Sequence, residues 1–170
     1  MKTYRSEDEL AFMKGIMLIL KPKIAVEIGV CEGGSAKVIK EFVNELHLFD
    51  TFVGIPSEYA EEGYPAGAYA ETIENVKRNI GEAIYYKGDV VKTKFEVQNK
   101  KFDFIHIDLD VYIPLKDILP FFYERLNGIM LISNYDDKHP GVIKAIDEFL
   151  KPEYKYSRFV FYEKNIQRPF

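Results

Sequence analysis

The chain has 170 residues, 47% hydrophobic and 29% charged, with a formal net charge of −4: enough for one ordinary domain with a substantial core, and without general attraction to nucleic acid or anionic membranes. Cys31 is the single cysteine, which excludes an intrachain disulfide and a Cys-based zinc cluster and fits a reducing, cytoplasmic setting. No apolar run approaches the ~20 residues of a membrane span, and the opening "MKTYRSEDELAFMKG" is too polar for a signal peptide.

A first helix is predicted within residues 1–21, starting at Ser6, where "SEDE" has the form of a capping box. Leu10, Phe12, Met13, Ile16, Ile19 and Leu20 follow at helical spacing until Pro22 ends it. Strands are then expected at "IAVEIGV", "LHLFD", "AIYYKG", "FDFIHIDL" and "GIMLIS", with helices over 34–45, 69–80, 113–125 and 140–150. "YSRFVFYE" supplies one or two final strands. Strands alternating with helices imply βαβ units and a mostly parallel sheet covered on both faces, a doubly wound, Rossmann-like α/β fold. Residues 1–170 read as a single domain. The long irregular stretch 51–69 leaves the second strand at the edge where such sheets bind ligands, which makes it a candidate substrate-side loop.

The turn after the first strand, "VEIGVCEGG", does not have the G-x-G-x-x-G spacing of a dinucleotide site. Its carboxylates, Glu27 and Glu32, would also repel a pyrophosphate. A cationic cofactor suits it better. S-adenosylmethionine carries a sulfonium and an ammonium beside an adenosine, and Asp50, about 20 residues beyond the glycines, is placed to accept its ribose hydroxyls. On this reading Glu27, Gly29, Gly33, Ser35 and Asp50 form the cofactor side, although glycines in a tight turn beside solvated carboxylates would look the same.

The residues Glu27 to Ser35, E-x-G-x-x-x-G-x-S, resemble the first motif of class I S-adenosylmethionine-dependent methyltransferases. "FDTFVGIP" (49–56), "DLDVYIPLKDILPFFYERLNGIMLI" (108–132) and "HPGVIKAIDEFL" (139–150) resemble, more narrowly, the macrocin O-methyltransferase family of the TylF/MycF type. The resemblance implies a seven-stranded sheet with the last strand antiparallel, and methyl transfer to a hydroxyl of a small molecule such as a sugar of a natural product. It also implies Asp89 beside the adenine, Asp108 as metal ligand and cofactor-side acid, and Asp110 as candidate general base.

The family has two consecutive acids before a tyrosine after the fifth strand, where this chain has Ser133 and Asn134 before Tyr135. The implied Mg2+ site is thereby reduced to Asp108 and Asn134, with Asp136 or Asp137 able to compensate, and metal-independent transfer is the competing reading. His139, just ahead of Pro140 at a helix start, is a candidate base or substrate contact, or else a plain capping residue. His106 and His47 read as structural. Tyr112, within the D-x-D-x-Y block, is the aromatic most expected at the site. The expected partner is a small hydroxyl acceptor, with no nucleic acid or membrane and with a homo-oligomer open. A cofactor-binding module that has lost catalysis and acts through a partner is the alternative.

Overall fold

The computed structural model describes residues 5–61 and 63–166. Seven strands, β1 Ile24–Ile28, β2 Glu45–Asp50, β3 Ile84–Lys87, β4 Phe102–Ile107, β5 Leu126–Ile132, β6 Tyr154–Tyr156 and β7 Phe159–Glu163, form one sheet in the order β3-β2-β1-β4-β5-β7-β6. The strands β1 to β5 pair in parallel, and β7 runs antiparallel to both β5 and β6. The chain winds outward from β1 to β3 and then returns to lay β4 on the other side of β1. That reversal puts a crevice at the carboxyl ends of β1 and β4.

Alternation along the strands sorts the core into two layers. Val26, Ile28, Ile105, Ile107, Met130 and Ile132 face helices α4 (Val90–Thr93), α5 (Tyr112–Glu124) and α6 (Pro140–Phe149), meeting Leu115, Ile118, Phe122, Val142 and Ile146. Ala25, Leu46, Leu48, Phe104 and Leu131 face α1 (Glu7–Leu20), α2 (Gly34–Lys40) and α3 (Ile73–Ile80), meeting Met13, Met17, Ile39 and Val76. Each fully buried large side chain stabilises the fold by about 1.5–3 kcal/mol, so the sheet edge between the two layers is held rigidly.

The predicted capping box of α1 is present: Ser6 Oγ accepts from the Glu9 N–H at 3.2 Å and Glu9 Oε2 accepts from the Ser6 N–H at 3.0 Å. Glu9 also receives Arg158 through Nε at 2.7 Å and Nη2 at 3.2 Å, which fastens α1 to the turn between β6 and β7. Several boundaries differ from expectation. Helix α2 stops at Lys40 because the chain needs residues 41–44 to turn into β2. Helix α3 starts four residues late, since Tyr69 takes a left-handed φ of 60° and Thr72, whose side chain accepts from the Asn75 N–H, is the cap. Helix α4 and the 3-10 turn Lys94–Val97 were not foreseen, being too short to show a helical period.

Gly29 is required by a close approach. Its φ is +83°, and a Cβ there would lie 2.2 Å from the carbonyl oxygen of Asp108. Gly29→Ala is expected to cost about 2–4 kcal/mol of stability, seen as a lower urea midpoint at unchanged m-value.

Candidate active site

A cavity of about 270 Å3 opens at the carboxyl ends of β1, β2, β3 and β4. Three strand exits around it turn through non-glycine residues with left-handed φ: Cys31 (48°) after β1, Phe52 (57°) after β2 and Asn134 (67°) after β5. Such strain is tolerated where surrounding bonds over-determine the backbone, and Asp50 supplies those bonds at two of the exits. Its Oδ2 accepts from the N–H groups of Val30 (2.7 Å) and Cys31 (3.0 Å), and its Oδ1 from that of Phe52 (2.8 Å).

On the same side, Asp89 caps α4 through the Val91 N–H at 3.0 Å and accepts the Tyr59 hydroxyl at 2.9 Å. Tyr59 belongs to the 51–69 stretch, whose Gly54, Ile55, Pro56 and Tyr69 also line the cavity. The stretch is pinned farther along, where the Glu61 carboxylate accepts the N–H of Tyr112, the first residue of α5, at 2.7 Å. The field here is negative: burial first, and then the charges of Asp50, Glu32 and Asp108, push the Cys31 thiol up to about 11.

The opposite wall is a polar cluster from β4, β5 and α6. Asn134 Nδ2 donates to Asp108 Oδ1 at 3.0 Å and to Asp110 Oδ1 at 2.6 Å. The guanidinium of Arg5 donates through Nη1 to Asn134 Oδ1 at 3.1 Å and through Nη2 to Asp108 Oδ1. His139, the N-cap residue of α6, has Nδ1 2.7 Å from Asp136 Oδ1 and Nε2 3.6 Å from Asp110 Oδ1. The two acids of the D-x-D pair are driven apart in proton affinity. Burial works to raise the Asp108 carboxyl, but the charges of Arg5, His106 and Arg158 outweigh it and hold the group below its ordinary value. Burial, and then the negative charge of Asp108, push Asp110 up to about 6.

Three residues expected on the cofactor side do not reach the cavity. Glu27 is fully buried, because alternation turns it toward α2 while its neighbours Val26 and Ile28 pack under α5 and α6. Its Oε1 accepts the Ser35 hydroxyl at 2.5 Å and lies 2.7 Å from His106 Nδ1, and His106 Nε2 lies 2.9 Å from Ser133 Oγ. Ser35 and Glu27 therefore belong to a polar row behind the turn, and His106 is structural as expected. Gly33 serves packing, since a Cβ there would meet Ile80 Cδ1 at 2.6 Å. Tyr112 also departs from expectation: its hydroxyl is on the surface with Lys116 and Glu148. Gly29, Asp50, Asp89, Asp108, Asp110, Asn134 and His139 all line the cavity.

No protein-family model and no curated protein sequence matches the chain. Solved structures do. The O-methyltransferase NovP superposes with a TM-score of 0.75 at 19% identity, over 92% of this chain and 79% of that one. CalS11, a calicheamicin methyltransferase, gives 0.74 at 18% identity over 92% and 78%. An O-methyltransferase from Bacillus cereus in complex with SAH gives 0.61 at 16% identity over 85% and 68%. The chain has the methyltransferase fold. At these identities the likeness fixes the architecture, and the chemistry has to be argued from the cavity itself.

The cavity fits S-adenosylmethionine. Four carboxylates, Asp50, Asp89, Asp108 and Asp110, line it against two guanidiniums, and these are engaged by Asp108 and Glu9. Such a donor set favours a diol, an amine and positive charge over phosphates.

Mg2+ does not fit. It needs oxygen lone pairs in near-octahedral array, yet Arg5 donates to both Asp108 Oδ1 and Asn134 Oδ1. The Asn134 amide nitrogen, and not its oxygen, faces the acids. Ser133 is turned into the sheet, Asp136 toward His139, and Asp137 is exposed. Among the described residues no group of three or more His, Cys, Asp or Glu is placed to hold a metal ion, and no helix is long and apolar enough to cross a membrane.

Arg5, Arg158 and Tyr59 are cavity residues that sequence reasoning missed. Nothing in the local sequence signals the two arginines, whose partners lie 103 and 149 residues away.

Proposed function

We propose that this protein is an S-adenosylmethionine-dependent O-methyltransferase acting on a hydroxyl of a small molecule, a sugar or sugar-bearing natural product being the class favoured by the sequence resemblance. The supporting observation is a single cavity with Asp50 and Asp89 on one side and the Asp110–His139 pair on the other. A carboxylate has about four acceptor directions, and Asp50 accepts three amides with the Thr51 hydroxyl 3.5 Å away; a ribose hydroxyl would take that last direction, the Thr51 proton having the Gly54 carbonyl at 2.7 Å. Asp89 would take the adenine amine in competition with the Tyr59 hydroxyl. A reducing cytoplasmic location goes with this reading and with the free thiol of Cys31.

S-adenosylmethionine, when bound, supplies an electrophilic methyl carbon on sulfur. The chain's own residues align an acceptor hydroxyl and remove its proton. Asp110 takes that proton as the oxygen–carbon bond forms and the carbon–sulfur pair leaves with sulfur. Its raised affinity suits the task, since a general base works best near the operating pH. Asn134 fixes the Asp110 carboxylate through one oxygen. Asp136, which burial would raise but the His139 hydrogen bond holds below its ordinary value, orients the imidazole through Nδ1 so that Nε2 faces Asp110.

Titration calorimetry with S-adenosylhomocysteine is expected to show one saturable site. Folded wild-type protein that gives no binding heat overturns the reading. Turnover that vanishes in Asp110→Asn while S-adenosylhomocysteine still binds separates an enzyme from a module that only binds.

A further inference from the structure

We propose that Arg5 is the protein's own cation at the reaction centre, standing between Asp108 and Asn134 in place of a divalent metal, so that methyl transfer proceeds without one. The catalytic half of this rests on the methyltransferase reading; the occupancy half does not.

The geometry is that of a filled cation position. The two ends of one guanidinium address the two side chains that a metal would have to bridge, Nη1 on Asn134 Oδ1 at 3.1 Å and Nη2 on Asp108 Oδ1. Arginine presents a planar fork that stays charged, so it can serve as a fixed counter-charge. The position is built to keep it. Arg5 is 8% exposed, and its guanidinium carbon lies 5.4 Å from the centre of the Phe159 ring. It also precedes a helix start locked by the Ser6–Glu9 box and by the Glu9–Arg158 fork. Ser133 agrees with this: next to Asn134 this chain has a neutral hydroxyl turned toward His106, not a further acid. A third carboxylate beside a monovalent guanidinium would leave the centre over-charged.

Arg5 is a positioning residue. By holding the Asn134 oxygen it directs the Asn134 amide N–H groups at Asp108 and Asp110. It also supplies the counter-charge to Asp108.

The test uses Mn2+ as probe, followed by the EPR signal of the free ion. Wild type and Arg5→Lys are expected to leave that signal undiminished at millimolar Mn2+. Arg5→Ala is expected to deplete it saturably, and Asp108→Asn placed in the Arg5→Ala protein to abolish the depletion. A merely structural Arg5 would not divide the lysine variant from the alanine one. Saturable, Asp108-dependent Mn2+ binding by wild type overturns the proposal, as does a folded Arg5→Ala protein that binds none. The same wild-type sample is titrated with S-adenosylhomocysteine. Absence of binding there, with the Mn2+ pattern as expected, removes the methyltransferase reading and leaves the cation assignment standing. Once turnover is measured, full activity in EDTA is expected, and a tenfold or greater loss restored by Mg2+ overturns the proposal.

Discussion

Replacing Asp110 by asparagine is expected to lower methyl transfer by roughly 10²–10⁴-fold while making the unliganded protein more stable at neutral pH. Both effects come from one raised proton affinity. In the unfolded chain Asp110 returns to its ordinary value of 3.8, whereas in the fold burial and Asp108 push it up to about 6. Between those values the folded state holds the proton more tightly, so stability is full below the unfolded value and falls as pH rises through about 6. The accumulated loss above that point is about 2–3 kcal/mol. Asparagine is neutral throughout and removes it. Urea melts of the two proteins should therefore diverge at about pH 8 and converge near pH 4. The wild-type rate should climb with pH and level off above about 6. An Asp110→Asn protein with wild-type turnover would take the base role away from this residue. Equal melting at high pH would show that its carboxylate is not disfavoured by the fold.

Asp50→Ala should damage both architecture and binding. One carboxylate holds the Val30, Cys31 and Phe52 N–H groups, two of which belong to residues with left-handed φ. Charge-assisted bonds of this kind are worth about 1.5–3 kcal/mol each, and shared ones do not add fully. A loss of roughly 3–5 kcal/mol is therefore expected on thermal or urea unfolding. Affinity for S-adenosylhomocysteine should fall by about 100-fold, or roughly 2.7 kcal/mol. Asp50→Asn keeps an acceptor for one exit and turns an amine toward the other, so it should lie between wild type and alanine in both measurements. An alanine variant that is less stable yet binds normally would place the ribose away from Asp50.

The sheet was legible because its strands are short apolar runs punctuated by Gly, Pro and Asp, and because four of the five helical stretches fall between them. Misplaced boundaries have local causes, such as the left-handed Tyr69 ahead of α3 and the brevity of α4. Asp50 was visible from its spacing beyond the glycine turn, whereas Asp89, Asp108 and Asp110 were marked by the resemblance; all four line the cavity because the exits of a parallel sheet gather at one edge.

Glu27, expected on the cofactor side from its charge and its motif, is buried and does not line the cavity. Its direction was open to inference, since Val26, Glu27 and Ile28 alternate, and the register that pairs Glu27 with His106 puts an acid beside an imidazole inside the sheet. Arg5 could not be found in this way. Its partners come from two strands far along the chain, and only the packing of α1 brings them together.

The capping box of α1 carries one more implication. Glu9 closes the first helical turn and grips Arg158, and Arg5 stands a single residue ahead of Ser6. Fraying of that turn would loosen two arginines at once. A protease nick before Ser6 is thus expected to alter catalysis by releasing Arg5, and a preparation cut there would report on a different electrostatic environment.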